Sequence, residues 1–177
     1  MRRFILEGLM RRPLTEAAPA PEAAGLDELA AAFQRSQRET LGQSLAIRMV
    51  DAGSCNGCEM EINALANPYY DMERFGLHFV ASPRHADVLM VTGPVTHNMA
   101  EALRRTYDAM PAPKWVIAVG DCAKNGGCFA GSYAIMGGVD AVVPVDLHIP
   151  GCAPDPTALL KGLLALLQRM GTEVRPK

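Results

Sequence analysis

A continuous apolar run, Trp115 to Val119, is followed at once by Gly120. Five apolar residues without polar alternation are typical of a strand buried on both faces, and such strands occur in parallel sheets covered by helices. Further strands are predicted at 45–50, 77–80, 88–91 and within 142–149, and helices at 59–66, 96–110 and 157–170. This alternation predicts an α/β domain with a mainly parallel sheet.

The first 40 residues differ from this pattern and are predicted to form an N-terminal extension, which leaves 41–177 as the α/β domain. Met1 to Arg12 carries four arginines and one glutamate among apolar residues, as in a short basic amphipathic helix. Pro13 to Gly25 is rich in proline, alanine and glutamate and is predicted to be a linker. Leu26 to Arg38 has apolar residues at helical spacing and is predicted to be a peripheral helix.

Composition excludes several classes of protein. The formal net charge is −2, so no basic excess indicates nucleic-acid binding. No apolar run reaches the about 18–20 residues that span a bilayer. The pair Arg2–Arg3 is followed by only three apolar residues before Glu7, too few for a secretory core. We therefore expect a reducing compartment, where cysteines more often bind metals or catalyse reactions than form disulfides.

Four of the five cysteines follow predicted strands directly. Cys55 and Cys58 come after the strand at 45–50, Cys122 comes after Trp115–Val119, and Cys152 comes after the strand that ends at Ile149. The carboxyl ends of parallel strands share one edge of a sheet, and ligands bind there. We therefore expect these four thiols to meet in space, although long stretches of sequence separate them.

Four thiolates make a soft shell that suits an iron–sulfur cluster or a zinc ion. Structural zinc sites usually use two close pairs, whereas this chain has one pair and two isolated cysteines, which favours a cluster. A thioredoxin-type pair at Cys55–Cys58 would leave the other two cysteines unexplained. Cys128 is expected to be a small buried residue or a spare thiol near the site, and not a ligand.

Four ordered motifs carry a family resemblance: Asp51-Ala-Gly-Ser-Cys-Asn-Gly-Cys-Glu59, Val91-Thr-Gly-Pro-Val95, Gly120-Asp-Cys-Ala123 and Pro150-Gly-Cys-Ala-Pro154. Over about residues 45–168 the chain resembles the small subunit of membrane-bound [NiFe] hydrogenases related to complex I, of the formate hydrogenlyase and hydrogenase-4 type. These subunits share a family with the 20 kDa subunit of NADH:quinone oxidoreductase. The resemblance implies a flavodoxin-like fold, with helices on both faces of the sheet.

The resemblance also implies a function. One [4Fe–4S] cluster would be held by Cys55, Cys58, Cys122 and Cys152, and it would pass electrons to a hydrogenase-like large subunit that holds most of the active site. Other iron–sulfur and membrane subunits would complete an oxidoreductase complex at the cytoplasmic, inner face of the cell membrane. No catalytic residue is assigned to this chain. Ala153 departs from the family, which has proline there.

Two alternative functions remain open at this point. The first is a quinone-reducing complex I-type subunit, although subunits of that branch resemble each other in having two adjacent cysteines where this chain has Cys-Asn-Gly-Cys. The second is a zinc-stabilised interaction module. Three acids lie near the proposed ligands and either tune a cluster and relay protons or simply cap helix starts: Glu59, Glu61 and Asp121.

Overall fold

The computed structural model describes residues 23–40 and 44–173, and within them a five-stranded parallel sheet forms the centre of the protein. Its strands are β1 (Leu45–Asp51), β2 (Leu77–Phe79), β3 (Val88–Thr92), β5 (Trp115–Val119) and β7 (Leu147–Ile149). Their order is β2-β1-β3-β5-β7, which is the flavodoxin-like arrangement. The predicted fold class is confirmed.

Helices cover both faces of this sheet. The helices are α1 (Ala23–Thr40), α2 (Gly57–Ala64), α3 (His97–Asp108), α4 (Asp121–Asn125) and α5 (Pro156–Glu173). One hydrophobic core joins the sheet to α1, α2 and α5, and a second core joins its other face to α3 and α4. Because β3 and β5 are central, all their residues are buried, which explains the continuous apolar run in the sequence.

Register determines which side chains enter each core. In β3, Val88 and Met90 enter the first core, whereas Leu89 and Val91 enter the second. The strand pairs with β1 on one side and with β5 on the other, and Val91 lies opposite Val50 in β1. All three strands end at one edge of the sheet, and the loops that follow them carry most of the candidate site.

Several predicted boundaries need correction. Helix α2 begins at Gly57 and ends at Ala64, two residues before the predicted limits at each end. Within 142–149 only β7 is a strand, because Pro144 lacks an N–H group for pairing and Val139–Ala141 forms a 3₁₀ turn. A small antiparallel pair, β4 (Val95–Thr96) and β6 (Ile135–Gly137), was not predicted, since strands this short leave no periodic signal.

The predicted cap of α3 is confirmed. The Thr96 hydroxyl oxygen accepts a hydrogen bond from the backbone N–H of Met99 at 3.3 Å. The helix ends at Asp108, close to the predicted end at 110 and before Pro111. Capping of this kind satisfies one of the N–H groups that have no partner within the helix.

The N-terminal predictions fall only partly on described residues. The basic segment and residues 13–22 lie outside them, whereas Ala23 to Gly25 is helical and not part of a linker. Helix α1 contains the whole predicted helix 26–38, and its Phe33 is fully buried 5.4 Å from the ring of Phe75. The boundary between an extension and a domain at residue 41 stays a prediction. Across 23–40 and 44–173, no helix has the length and hydropathy needed to cross a membrane.

Candidate metal centre

A cavity of about 120 Å³ lies at the carboxyl edge of the sheet, and the four cysteines that follow strands all line it. The loops after β1, β3, β5 and β7 contribute its walls. The lining residues are Ser54, Cys55, Gly57, Cys58, Gly93, Asp121, Cys122, Gly151, Cys152 and Ala153. The structure therefore brings together the four thiols that the sequence places after strands, while their role as metal ligands stays a prediction.

The loop after β1 is shaped by short-range hydrogen bonds. One carboxylate oxygen of Asp51 accepts from the backbone N–H groups of Gly53 at 2.8 Å and Ser54 at 2.7 Å. The Ser54 hydroxyl oxygen then accepts from the N–H of Asn56 at 3.1 Å. Asn56 adopts the left-handed conformation with φ of 71°, which asparagine tolerates better than most residues, and α2 begins directly after it. This turn leads Cys55 and Cys58 to the same cavity.

The loops after β5 and β7 are bonded to each other. The N–H of Asp121 donates to the carbonyl of Gly151 at 2.9 Å, and the N–H of Gly151 donates to the Asp121 carboxylate at 3.1 Å. The ring of His148 also lies 3.0 Å from the carbonyl oxygen of Gly120. These contacts hold the Cys122 and Cys152 loops in one arrangement and give Asp121 a structural role.

Two glycines allow backbone to approach the sulfur atoms closely. A Cβ on Gly120 would lie 2.8 Å from the Cys58 sulfur, and a Cβ on Gly127 would lie 2.6 Å from the Cys122 sulfur. Both glycines have positive φ values, 85° and 52°. Any other residue would fill part of the space around the thiols, so the site requires glycine at both positions.

Burial and charge act together on Cys58. Burial, and to a smaller degree the neighbouring Glu59 carboxylate, raise the pKa of its thiol to about 12. Glu59 is only 5 % exposed, and neither of its carboxylate oxygens has a hydrogen-bond partner in the structure. The interpretation of Glu59 as a solvated or capping acid is therefore wrong, because side chains of that kind are exposed or bonded.

Cys128 lies beside the cavity without lining it. The backbone of Gly127, the residue before it, lies close to Cys122, and a Cβ on Gly127 would be 2.6 Å from the Cys122 sulfur. Burial raises the pKa of Cys122, while the N–H of Cys128 acts in the opposite direction. Cys128 is exposed, so the expectation of a small buried residue is wrong, while the alternative of a spare thiol near the site stays a prediction.

The four thiols around this cavity fit the soft donor set that an iron–sulfur cluster or a zinc ion requires. A tetrahedral zinc site with Zn–S distances of about 2.3 Å needs sulfur atoms about 3.8 Å apart. Within the part of the chain that the structure describes, no three Cys, His, Asp or Glu side chains are arranged to hold one metal ion. A water molecule needs a cavity of only about 10–15 Å³, so the space between the thiols can hold a much larger core.

Gly93, Ser54 and Ala153 also line the cavity and were not predicted as site residues. Gly93 follows the central strand β3, and a Cβ there would lie 2.6 Å from the backbone of Ser54. The same rule that located the cysteines, position directly after a parallel strand, could have found this glycine. Glu61 is half-buried and does not line the cavity.

Comparison with known proteins gives concordant matches. Residues 55–166 match the family described as "NADH ubiquinone oxidoreductase, 20 Kd subunit". Formate hydrogenlyase subunit 7 of Escherichia coli (strain K12) is 44% identical over 142 residues, which are 80% of this chain and 56% of that protein. The chain thus spans little more than half the length of this curated relative.

A solved structure is also similar. It is described as the membrane-bound sulfane sulfur reductase, an archaeal respiratory membrane complex. One of its chains superimposes with a TM-score of 0.66 at 33% sequence identity, covering 83% of this chain and 78% of that one.

Proposed function

This chain belongs to the family of the 20 kDa subunit of NADH:ubiquinone oxidoreductase, and from that premise we propose that it is the electron-transferring small subunit of a membrane-associated, [NiFe]-hydrogenase-like complex. The observation that carries the proposal is the convergence of four cysteines on one cavity. All four lie within the segment that matches the family. The similarity to a formate hydrogenlyase subunit favours the hydrogenase branch.

In this proposal Cys55, Cys58, Cys122 and Cys152 hold one [4Fe–4S] cluster, which when bound supplies one-electron transfer. The convergence of four thiols on a cavity of about 120 Å³ supports this assignment. Because Gly120 and Gly127 have no side chain, their backbone can lie close to the sulfur atoms of Cys58 and Cys122. Hydrogen bonds from backbone N–H groups to cysteine sulfur help to set the potential of such clusters.

The candidate site is shielded from water on the side of Cys58 and open to water on the side of Cys55 and Cys152. Cys58 is half-buried next to the end of β5, whereas Cys55 and Cys152 are exposed. Large apolar side chains near the cysteine loops are also exposed, among them Met60 at 61 % and Phe129 at 38 %. A large partner subunit that covers this side would bury both the thiols and these side chains. In this proposal the partner holds most of the active site.

We also place the complex at the cytoplasmic, inner face of the cell membrane, together with further iron–sulfur and membrane subunits. The structural relative belongs to a membrane complex, and the described part of this chain contains no spanning helix of its own. Peripheral attachment through partner subunits agrees with both observations. No partner nucleic acid is proposed, because the net charge of −2 gives no basic excess.

A quinone-reducing complex I-type subunit is the second candidate. The description of the matching family supports it, since that family is named after NADH:ubiquinone oxidoreductase. The Cys-Asn-Gly-Cys sequence at 55–58 supports the hydrogenase branch instead. Nickel in the purified complex would support the first candidate, and sensitivity to quinone-site inhibitors without nickel would support the second.

The proposal is tested on the native complex. The full chain is tagged, extracted from membranes with mild detergent and purified under anaerobic conditions, and iron, sulfide, nickel and zinc are measured. We expect a large subunit to copurify with nickel and iron, and an EPR signal to appear on reduction. A colourless, zinc-containing chain would contradict the proposal.

The ligand set is tested on the full chain alone. Replacing Cys122 by alanine should lose most of the bound iron, because three thiolates hold a cluster poorly. The matched control is Cys128→Ala in the same loop, which should retain iron at the wild-type level. Equal losses in the two variants would contradict the choice of ligands.

A further inference from the structure

The loop after β5 brings Cys128 back beside Cys122 in the described chain. The backbone of Gly127, the residue before Cys128, lies against Cys122, so that a Cβ on Gly127 would be 2.6 Å from the Cys122 sulfur. The proposed electron transfer uses only one member of this pair. The other, Cys128, is an exposed thiol with no role in the function proposed above.

The loop between the two cysteines returns the chain onto Cys122. Helix α4 ends where the N–H of Gly126 donates to the Cys122 carbonyl at 2.8 Å. Gly126 and Gly127 both have positive φ values, and a Cβ on Gly127 would lie 3.0 Å from the Cα of Cys122. This reversal, which needs two glycines, brings Cys128 back beside Cys122 after only five intervening residues.

We propose that Cys122 and Cys128 are a reactive dithiol that a small-molecule disulfide, such as oxidised glutathione, converts into an intramolecular disulfide when no cluster is bound. The inference rests on the proposed function in one respect, that Cys122 is a cluster ligand. The disulfide then removes that ligand, and reduction restores it. Cluster loading becomes dependent on the thiol–disulfide state of the cell.

The chemical step is ordinary thiol–disulfide exchange. The exposed Cys128 sulfur attacks one sulfur of oxidised glutathione, breaks its S–S bond and releases one glutathione as the thiol. The Cys122 sulfur then attacks the mixed disulfide, forms the Cys122–Cys128 bond and releases the second glutathione. Two electrons pass from the protein dithiol to the glutathione disulfide, and each protein thiol gives up one proton.

Exposure explains why Cys128 reacts first. It is exposed and does not line the cavity, whereas Cys122 is half-buried within the cavity wall. Cys55 and Cys152 are also exposed, but both line the cavity, whereas Cys128 lies outside it. Cys58 points toward the Val119 carbonyl at 3.9 Å, on the inner side of the site.

The test uses the full chain, purified without cluster under anaerobic conditions and incubated with oxidised glutathione. Remaining thiols are alkylated, and disulfide-linked peptides are identified by mass spectrometry. We expect a Cys122–Cys128 linkage, reversed by reduction. In Cys128→Ser the loss of Cys122 alkylation should be at least about tenfold slower. Cys152→Ser is the matched control and should still form the linkage.

Three results would overturn the inference: a Cys55–Cys58 linkage in place of the expected one, glutathione retained on Cys128 without ring closure, or no reaction. The disulfide-linked peptides of the wild-type chain distinguish these results from the expected one even if a variant folds poorly. A parallel sample loaded with iron and sulfide should resist the reaction in proportion to its iron content. Linkage that forms despite full iron loading would support the dithiol and contradict Cys122 as a ligand, so the two failures are distinguishable.

Discussion

At the scale of single residues, Glu59 is the most unusual side chain near the site. Its carboxylate is 5 % exposed and has no hydrogen-bond partner. Burial of this kind lowers the stability of the fold, because the group loses its hydrogen bonds to water and gains none from the protein. It is adjacent in sequence to Cys58, and its charge raises the pKa of that thiol. A fold that keeps this arrangement gives the carboxylate a direct influence on anything bound at Cys58.

We predict that Glu59→Gln makes the midpoint potential of the loaded cluster more positive. A negative charge nearby opposes the addition of an electron, and its removal should shift the potential by on the order of tens of millivolts. Redox titration followed by EPR measures this shift. Glu61→Gln is the control, because Glu61 is more exposed and is not among the charges that raise the pKa of Cys58, so its shift should be smaller. Equal shifts in the two variants would contradict a specific effect of Glu59.

The raised pKa of Cys58 predicts how the cluster-free chain responds to pH. The folded chain holds this proton more tightly than the unfolded chain, since the thiol pKa rises from 9.0 to about 12. Its contribution to stability is therefore complete below pH 9 and is lost as the pH rises toward 12. Because the thiol is only half-buried, solvent screening limits the loss to about 1–2 kcal/mol.

Urea unfolding between neutral pH and about pH 11 measures this loss. The control is Cys58→Ala, whose free energy of unfolding should fall less steeply over the same range, because tyrosines and lysines titrate equally in both proteins. Parallel curves for the two proteins would show that Cys58 does not account for the pH dependence.

At the scale of elements, the loops that follow the strands position the site. The loop after β5 and the loop after β7 are joined by hydrogen bonds between Asp121 and Gly151 in both directions. The end of β5 also lies against Cys58, which belongs to the loop after β1. Three strand ends therefore act as one unit, and a change in the backbone of one loop should affect thiols in another.

Gly120 tests this coupling. In Gly120→Ala the new Cβ would lie 2.8 Å from the Cys58 sulfur, so that thiol must move and iron binding should fall severalfold. Gly131→Ala is a matched control, because its φ of 81° resembles the 85° of Gly120, yet nothing lies within 4 Å of the added atom. A positive φ strains both alanines, and at Gly120, where ψ is 162°, the backbone conformation is essentially restricted to glycine. Similar iron content in the two variants would contradict a steric effect on Cys58.

The sequence predicted elements best where burial imposed a strong pattern. Strand β5 was located to the residue, since a strand buried on both faces is continuously apolar. The pair β4 and β6 was missed because such short strands are held by tertiary contacts and not by periodicity. The cysteines could be predicted to meet because each follows a parallel strand. The burial of Glu59 could not be predicted in this way, because its position in a helix does not reveal which residues cover its side chain.

At the scale of the whole molecule, the sheet separates two hydrophobic cores, and the candidate site lies at the carboxyl ends of its strands. The first core is the larger and includes residues from α1, α2 and α5 as well as the strands. Helix α1 precedes the domain boundary predicted at residue 41, yet Phe33 is fully buried in this core. The α/β fold therefore draws part of its stability from a helix that the sequence suggested was peripheral.

Phe33→Ala should consequently lower the free energy of unfolding of the full chain by about 3–5 kcal/mol, as expected when a buried aromatic ring leaves a cavity. The ring packs 5.4 Å from that of Phe75, so its loss also removes an aromatic contact. Urea unfolding of the two proteins gives the difference. Gln34→Ala, one residue further along α1 and exposed, should change the same quantity by less than about 0.5 kcal/mol. A small effect of both substitutions would place α1 outside the cooperative unit and support a domain that begins at residue 41, whereas a large effect of Phe33→Ala alone would move the start of that unit into α1.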